Sequence, residues 1–307
     1  DKAEAKDYYG AISDYNKAIE LNPNDALAYY NRGNSKHILK DYYGAISDYN
    51  KAIELNPNDA DAYINRGVSK KNLKDYYGAI SDYNKAIELD PNDADAYINR
   101  GLSKHNLKDY NGAISDYNKA IELDPNNALA YYNRGLSKHN LKDYNGAISD
   151  YNKAIELDPN FALAYNNRGV SKKNLKDYNG AISDYNKAIE LDPNYANAYY
   201  NRGNSKDDLK DYYGAIADYT KAIELNPFGD SAYYNRGVSK KNLKDNYGAI
   251  SDYTKAIELN PNDANAYVNR GISKEILGDL NGACADWKKA AELGDTDAAG
   301  WVANQCN

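Results

Sequence analysis

Small and apolar residues fall on one side of two successive helical stretches in each block of 34 residues. At about 100° per residue, one side of the first stretch in the block Ala26 to Asp59 consists of Ala28, Tyr29, Arg32, Gly33, Lys36 and Leu39. The apolar stripe of the second stretch consists of Tyr42, Ala45, Ile46, Tyr49, Ala52 and Ile53. Lys40 and Asp41 separate the two stretches. The pattern predicts two amphipathic helices joined by a tight turn.

Short acidic residues and a proline mark where these helices begin and end. Asp25 and Asp41 precede the two stretches, and a short carboxylate can accept hydrogen bonds from the free N–H groups of a first helical turn. The second stretch ends before Pro57, because proline cannot continue a helix and also restricts Asn56. We therefore expect each block to fold as a helix-turn-helix unit whose helices are both capped.

The block recurs along the whole chain. All eight prolines are spaced by 34 residues, at positions 23, 57, 91, 125, 159, 193, 227 and 261. Full repeats begin at 26, 60, 94, 128, 162, 196, 230 and 264. Residues 1–25 are the rest of an earlier repeat, and residues 298–307 are predicted to form a C-terminal capping helix with Trp301 in the place of Tyr29. A fixed period of this length is typical of stacked repeats, none of which buries its apolar face alone. The sequence predicts one all-α solenoid over residues 1–307.

Six positions of the block resemble a known family. They are Tyr29, Gly33, Ala45, Tyr49, Ala52 and Pro57, and their spacing is similar to that of the tetratricopeptide repeat (TPR), a helix-turn-helix of 34 residues. The resemblance implies a right-handed superhelical solenoid whose first helices line a concave groove, and a role as a protein-binding scaffold. One departure stands out, since Arg32 and Lys36 occupy places where the family usually has Leu and Tyr.

The arginine of this departure has a regular companion. In all eight full repeats an Arg is followed 16 residues later by an Asp, from Arg32 and Asp48 to Arg270 and Asp286. The arginine lies on the packing side of its helix, where an unpaired charge is costly. We expect each pair to be an ion pair between helices, and Asp14 to lack such a partner. Binding of an anion or phosphopeptide by the arginines is the alternative.

An asparagine precedes every one of these arginines and lies on the other side of the helix. The row consists of Asn31, Asn65, Asn99, Asn133, Asn167, Asn201, Asn235 and Asn269. A carboxamide both donates and accepts hydrogen bonds, so the row could hold the backbone of an extended peptide, centred on Asn99, Asn133 and Asn167. It resembles the asparagine ladders of O-GlcNAc transferase and importin alpha. Alternatively, each Asn bonds the neighbouring repeat and sets the stacking, and both roles can coexist.

Apolar residues flank the asparagine row. Those assigned to the same predicted peptide site are Tyr30, Ile64, Ile98, Leu102, Tyr132 and Leu136. In an open groove they would form a continuous exposed apolar strip, which usually marks an interaction surface. Part of the strip is expected to pack between neighbouring first helices instead.

Several kinds of function lack the residues they need. The three histidines lie 34 or 68 residues apart, unlike the short spacings of metal ligands, and no phosphate loop, nucleophile elbow or HExxH motif occurs. A net charge of −7 disfavours nucleic acid, whose phosphates require a basic face. No segment approaches the roughly 18 apolar residues of a membrane span. We therefore expect no enzyme activity, cofactor, metal, nucleic acid or membrane insertion.

The two cysteines both fall near the C-terminus, Cys284 on the last second helix and Cys306 on the predicted cap. If the cap packs on that helix, the thiols could come close enough for a disulfide, which would place the protein in an oxidising compartment such as the periplasm or outside the cell. Two buried free thiols in a cytoplasmic protein are the alternative.

Two functions of different class are consistent with these patterns. The first is a non-enzymatic scaffold that binds an extended segment of a protein or peptide partner. The second is a structural or targeting arm of a larger protein or enzyme, with partner contacts elsewhere. End-to-end self-association through the truncated N-terminal repeat is a further possibility for either.

Overall fold

A computed structural model describes residues 7–306 as helices joined by short turns, with no β-strand among them. The chain divides into two compact halves, one ending at Asp158 and the other beginning at Pro159. Within each half, every helix packs antiparallel against the next one along the chain. The predicted all-α fold of stacked helix-turn-helix pairs is confirmed.

The helices of the N-terminal half are α1 (Tyr8–Leu21), α2 (Ala26–Ile38), α3 (Tyr42–Leu55), α4 (Ala60–Asn72), α5 (Tyr76–Leu89), α6 (Ala94–Asn106), α7 (Tyr110–Leu123), α8 (Ala128–Asn140) and α9 (Tyr144–Leu157). Those of the C-terminal half are α10 (Ala162–Asn174), α11 (Tyr178–Leu191), α12 (Ala196–Asp208), α13 (Tyr212–Leu225), α14 (Asp230–Asn242), α15 (Asn246–Leu259), α16 (Ala264–Ile276), α17 (Leu280–Glu292) and α18 (Thr296–Gln305). Even numbers denote first helices of a repeat and odd numbers second helices. Residues 1–6 of the predicted partial repeat and Asn307 of the predicted cap lie outside the described residues.

The predicted helix caps form in the first full repeat. Asp25 accepts a hydrogen bond from the Ala28 N–H at 3.0 Å, and Asp41 accepts one from the Gly44 N–H at 3.0 Å. The same cap recurs on every second helix, whereas Phe161, Tyr195 and Gly229 replace it before α10, α12 and α14 with no side-chain cap hydrogen bond. In these three helices a backbone carbonyl accepts from the third N–H group instead, as Phe161 O does from Ala164 N at 2.9 Å, whereas α16 keeps a side-chain cap from Asp263.

A glycine lets the two helices of a repeat approach closely. A Cβ on Gly33 would lie 2.7 Å from a ring carbon of Tyr49, a distance that real Cβ atoms do not adopt. The ring itself is only 1% exposed, and Ala45 and Ala52 beside it are 0% and 1% exposed. Glycine is required here because the aromatic ring of the second helix lies directly against the backbone of the first.

The arginine–aspartate pair forms in every full repeat, as predicted. In the repeat that begins at residue 60, the Nη2 atom of Arg66 lies 2.6 Å from Asp82 Oδ1, and the Nε atom of Arg66 donates to Oδ2 at 3.0 Å. Lys70, one turn after the arginine, binds the same carboxylate at 2.8 Å. The carboxylate is only 4% exposed, and its two cationic partners offset the free-energy cost of burying its negative charge. This pairing of the lysine was not predicted from the sequence, although a lysine follows every arginine by four residues.

The third guanidinium nitrogen connects neighbouring repeats. Arg66 Nη1 donates to Asn50 of the preceding second helix at 2.8 Å, and Arg236 Nη1 donates to Thr220 at 3.0 Å. The side chain also lies on a tyrosine ring three residues earlier, with Arg66 Cζ 5.3 Å from the Tyr63 centroid. Since these nitrogens already have partners and the side chains are 15% to 18% exposed, the arginines are structural, and the anion-binding alternative is not supported.

The buried tyrosines differ from repeat to repeat in whether their hydroxyl has a partner. Tyr49 Oη donates to Asn34 at 2.7 Å, because Asn34 replaces the usual Val, Leu or Ile at that position of the first helix. Tyr117, which faces Leu102 at the same position, has a buried hydroxyl without a partner among the described residues. Burial raises the pKa of both phenols.

We expect Tyr117→Phe to leave the free energy of unfolding unchanged or to raise it, because it removes a buried hydroxyl that makes no hydrogen bond. Tyr49→Phe should lower that free energy by about 0.5–1.5 kcal/mol, since it removes a hydrogen bond that is made. Urea denaturation followed by circular dichroism measures both, with Tyr49→Phe as the matched control. Equal destabilisation by the two substitutions would contradict this account.

The C-terminal helix packs in a different register from the one predicted. Its N-cap Asp295 accepts from the Ala298 N–H, as Asp25 does from Ala28, so Trp301 occupies the place of Asn31 and not that of Tyr29. The shift of two residues arises because α17 is one residue shorter than α15 and the following connection is also one residue shorter.

The two cysteines meet where α18 packs on α17. Their Sγ atoms are bonded, with the Cα atoms 5.5 Å apart. Trp287 and Trp301 lie beside the disulfide in the same apolar cluster, with ring centroids 5.2 Å apart. The disulfide therefore fastens the last helix to the preceding one.

Candidate functional site

The asparagine row lies on the first helices, on the side turned away from the second helix of the same repeat. Seven of its members are half-buried, and Asn133 is 5% exposed. Each directly follows a tyrosine, isoleucine, asparagine or valine. The side chains are thus placed between neighbouring first helices as well as at the surface.

Hydrogen bonds between repeats occupy several of these carboxamides. Asn65 Nδ2 donates to the Tyr30 hydroxyl of the preceding first helix at 2.8 Å. The same donation links Asn235 to Tyr200 and Asn269 to Tyr234, each at 3.0 Å. These three hydrogen bonds join neighbouring repeats, as expected if the asparagines set the stacking of the repeats.

Other members of the row make different contacts. Asn201 Nδ2 donates to Asn166 at 3.1 Å, and Asn99 Oδ1 accepts from Lys71 at 2.8 Å. Asn167 Oδ1 accepts from Asn166 at 3.1 Å. The Nδ2 of Asn133 is buried without a partner within residues 7–306. The row is regular in sequence, but its hydrogen bonding depends on which residue precedes the asparagine of the previous repeat, such as Tyr30 for Asn65 and Asn166 for Asn201.

The expectation of an exposed apolar strip beside the row is wrong. Ile98 is 4% exposed and belongs to a core cluster with Ala113 and Tyr117, against which Leu102 also packs. Tyr30 lies against Tyr49, with ring centroids 6.0 Å apart.

The remaining members behave similarly. Tyr132 packs on Tyr151 with ring centroids 5.9 Å apart, and Ile64 and Leu136 are half-buried. Tyr132 therefore contacts the second helix of its own repeat, and all three side chains are only partly accessible.

Two surface cavities on the first helices of the C-terminal half include members of the row. One of about 230 Å³ is lined by Asn235, and the other of about 380 Å³ is lined by Asn201. They share Lys173, Asn204 and Asp208 as lining residues. Neighbouring first helices thus form a polar groove in this half.

Charges of both signs line this groove. Lys173 Nζ pairs with Asp208 at 3.1 Å, and both side chains are about a third exposed or more, at 32% and 40%. Asp207 accepts from Ser239 at 2.6 Å. Asn204 accepts from Tyr219 at 2.8 Å and from Asn235 at 3.0 Å. The sequence analysis did not assign Asn204 and Asp208 to a site, although each departs from the residue usual at its position in the repeat.

The histidines join one repeat to the next. His37 Nδ1 is 2.7 Å from the Ser69 hydroxyl, and His105 Nδ1 is 2.8 Å from Ser137. Burial lowers the pKa of both imidazoles, and the nearby Lys71 lowers that of His37 further. No group of three or more His, Cys, Asp or Glu residues in the described part of the chain is arranged to hold a metal ion. No helix within residues 7–306 is long and apolar enough to cross a membrane.

Solved structures share this architecture, whereas no curated protein sequence matches the chain. The chain is similar to MamA at 30% identity, over 54% of this chain and 96% of that one, with a TM-score of 0.51. It is similar to YrrB, described as "a TPR protein with an unusual peptide-binding site", at 28% identity over 60% of this chain and 95% of that one, with a TM-score of 0.51. The APC/C hetero-tetramer Cut9-Hcn1 shares the fold alone, at 17% identity over 96% of this chain and 58% of that one, with a TM-score of 0.62.

Sequence profiles of one family match along the chain. A profile described as tetratricopeptide repeat matches residues 26–59, 60–93, 128–161, 196–228 and 231–263, and a second with the same description matches residues 82–115, 150–183 and 252–285. A third, described as TPR repeat, matches residues 3–37, 104–142 and 173–206. The helix pairs, the glycine beneath each aromatic ring and the spaced prolines agree with these matches. The chain belongs to the tetratricopeptide repeat family.

Proposed function

We propose that the protein is a non-enzymatic scaffold that binds an extended segment of a partner protein along its first helices. Family membership and the likeness to YrrB, described as having a peptide-binding site, support a role in protein interaction. The observation that carries the proposal is the polar groove of the C-terminal half, where Asn201 and Asn235 line cavities that share three residues.

In each of the two carboxamides in this groove, the oxygen atom has no hydrogen-bond donor among the described residues. Asn201 and Asn235 use Nδ2 as a donor to the preceding first helix, while no described residue donates to their Oδ1 atoms. A carbonyl oxygen of this kind can accept from the backbone N–H of a bound peptide. Stacking and peptide binding then use opposite ends of the same side chain. The site is therefore centred on Asn201 and Asn235, because Asn133 is buried.

Charged side chains add selectivity beside these acceptors. Asp208 and Lys173 form an accessible pair, so a basic side chain of the peptide can compete with Lys173 for Asp208, and water can solvate the displaced lysine because it is 32% exposed. Backbone contacts would supply affinity for many sequences, and this pair would favour a peptide with a basic residue near the centre.

We expect Asn201→Ala and Asn235→Ala each to weaken peptide binding by about 0.5–1.5 kcal/mol, or about 2- to 12-fold, for one lost neutral hydrogen bond. The probe is a peptide selected from a random 12-residue phage library on the wild-type chain, and its affinity is measured by fluorescence anisotropy. Asn262→Ala, in an exposed turn, is the matched control and should bind as the wild type does.

Circular dichroism must show that each variant remains folded, since both asparagines also bond the neighbouring repeat. Unchanged affinity in a folded double variant would contradict the groove. It would favour the alternative in which the chain is a structural or targeting arm with partner contacts elsewhere.

We also propose that the protein matures in an oxidising compartment, the periplasm or the cell exterior, because α17 and α18 bring Cys284 and Cys306 together in a disulfide. Maleimide labelling of the protein under denaturing conditions, directly after isolation from its native source, should modify neither cysteine without prior reduction. Labelling of both before reduction would favour the cytoplasmic alternative.

A further inference from the structure

One turn of the C-terminal half departs from the repeat at four successive positions. Residues 228–231 read FGDS, where the preceding repeat has NYAN and the first full repeat has NDAL. Gly229 and Ser231 are the smallest residues at their positions in any full repeat, and Phe228 is 82% exposed. The two small residues leave space beside the first turn of α14.

This space is a surface cavity of about 230 Å³ between the N-terminal ends of α12 and α14. Ala196, Tyr200, Ala222 and Ala232 line it with apolar surface. A Cβ on Gly229, which also lines the cavity, would meet no atom closer than 3.6 Å, so packing does not require glycine there. Sites for small molecules usually exceed about 300 Å³, so a cavity of this size suits one large apolar side chain better than a cofactor.

The apolar cavity adjoins the polar groove of the proposed peptide site. Asn235 Nδ2 donates at 3.0 Å to the hydroxyl of Tyr200, which lines the apolar cavity. The same atom donates at 3.0 Å to Asn204, which lines the polar cavity that also includes Asn235. Both cavities therefore lie along one seam between α12 and α14, and Asn235 stands between them.

The polar end of this seam is negatively charged. Its cavity is lined by one cation, Lys173, and by two carboxylates, Asp207 and Asp208. The side chain of Asp208 is 40% exposed, and most other full repeats have a neutral Asn at this position. Charge complementarity therefore favours a ligand whose basic group lies at this end and whose apolar group lies at the other.

The distance between the two cavities determines how far apart these two groups must be. The lining residues of α12 lie at 196–200 and 204–208, and those of α14 at 229–232 and 235–238. At a rise of about 1.5 Å per residue, these offsets correspond to roughly 9–12 Å along the seam. In a polyproline II segment, side chains three residues apart lie on one side and about 9 Å apart, whereas in a β-strand they point to opposite faces.

We propose that the seam selects extended segments in which a large apolar residue and an Arg or Lys lie three positions apart. The apolar side chain fills the cavity beside Gly229, and the basic group binds Asp208. Asn235 Oδ1 accepts from a backbone N–H of the residues between them. This selectivity rests on the proposed peptide-binding function and specifies which segments bind. Burial of the apolar side chain contributes most of the affinity, because an accessible ion pair contributes little.

The test uses the complete chain and the peptide selected on it from the random 12-residue library, which should contain this spacing. Ser231→Leu fills the cavity with a side chain that the chain already has at the same position, at Leu27, Leu129 and Leu163, so the variant folds. It should weaken binding at least tenfold in fluorescence anisotropy, because the apolar side chain of the peptide loses its cavity. Asn265→Leu, at the same position of the next repeat, is the matched control and should bind as the wild type does.

A second pair of variants tests the basic group. Asp208→Asn installs the residue that most other full repeats have, and it should weaken binding about two- to fivefold, as expected for an exposed ion pair. Replacing the basic residue of the peptide by glutamine should cost the same factor on the wild-type chain and nothing further on Asp208→Asn. Additive losses would show that the two groups do not interact.

The outcomes separate this selectivity from the peptide groove itself. Equal affinity for the wild type and Ser231→Leu, with a peptide that still depends on Asn201 and Asn235, would overturn the selectivity and leave the scaffold function intact. Selected peptides that lack the three-residue spacing would overturn it as well. A peptide that is insensitive to both Asn201→Ala and Asn235→Ala would contradict the groove, and the selectivity with it.

Discussion

Replacing Asp82 by alanine is expected to lower the free energy of unfolding of the N-terminal half by about 3–5 kcal/mol. The carboxylate is 4% exposed and lies 2.6 Å from Arg66 and 2.8 Å from Lys70. Its removal leaves two partly buried cations without an anion, in a place that water reaches poorly. The same carboxylate also orients the arginine toward Asn50, so the contact with the preceding repeat should weaken as well.

Urea denaturation followed by circular dichroism measures this loss as a shift of the transition midpoint. The chain contains its own control, because Asp14 is the equivalent residue of an identical helix sequence and is 77% exposed. Asp14→Ala should change stability by no more than about 0.5 kcal/mol. A small effect of Asp82→Ala would show that the ion pairs are dispensable and that apolar packing alone supports the stack.

Breaking the disulfide is expected to cost roughly 3 kcal/mol, because Cys284 and Cys306 close a loop with a sequence separation of 22 residues. The loss should be local, since α18 packs mainly on α17 among the described helices and the end of a stack frays most readily. The two tryptophans of the chain, Trp287 and Trp301, both lie beside the disulfide and report on this end alone.

Thermal unfolding followed by tryptophan fluorescence, with and without dithiothreitol, measures the effect. The reductant should lower the midpoint for the wild type and leave the Cys284→Ser/Cys306→Ser double variant unchanged. A wild-type midpoint that does not respond to full reduction would mean that apolar packing of the tryptophans, without the disulfide, holds the last helix in place.

Much of this architecture follows from the sequence, because each repeat is a local unit. The period of the prolines, the capping aspartates and the amphipathic stripes determine where the helices begin and end, and these signals act within a few residues. The pairing of Arg66 with Asp82 could also be predicted, because its offset of 16 residues recurs in every full repeat and both residues face the interior of the helix pair.

The tertiary structure decided how neighbouring repeats use residues that look alike in sequence. Asn65 donates to Tyr30 because a tyrosine hydroxyl lies beside it, whereas Asn99 accepts from Lys71, and Ile98 is buried despite its place beside the row. Helix periodicity separates two sides of one helix but does not specify how closely the next helix approaches. For that reason the exposed strip was predicted wrongly.

The ends of the chain show the same division between local and tertiary information. A three-residue connection before α18 moved Trp301 to the place of Asn31, which the repeat period alone could not reveal. Asp14 was predicted from the sequence to lack an arginine partner, and its side chain is 77% exposed, whereas that of Asp48 on the identical helix α3 is 4% exposed. The sequence determined what each helix can pair with, and the tertiary structure decided how closely neighbouring helices approach, because burial of a side chain depends on the helices around it and not on its own sequence.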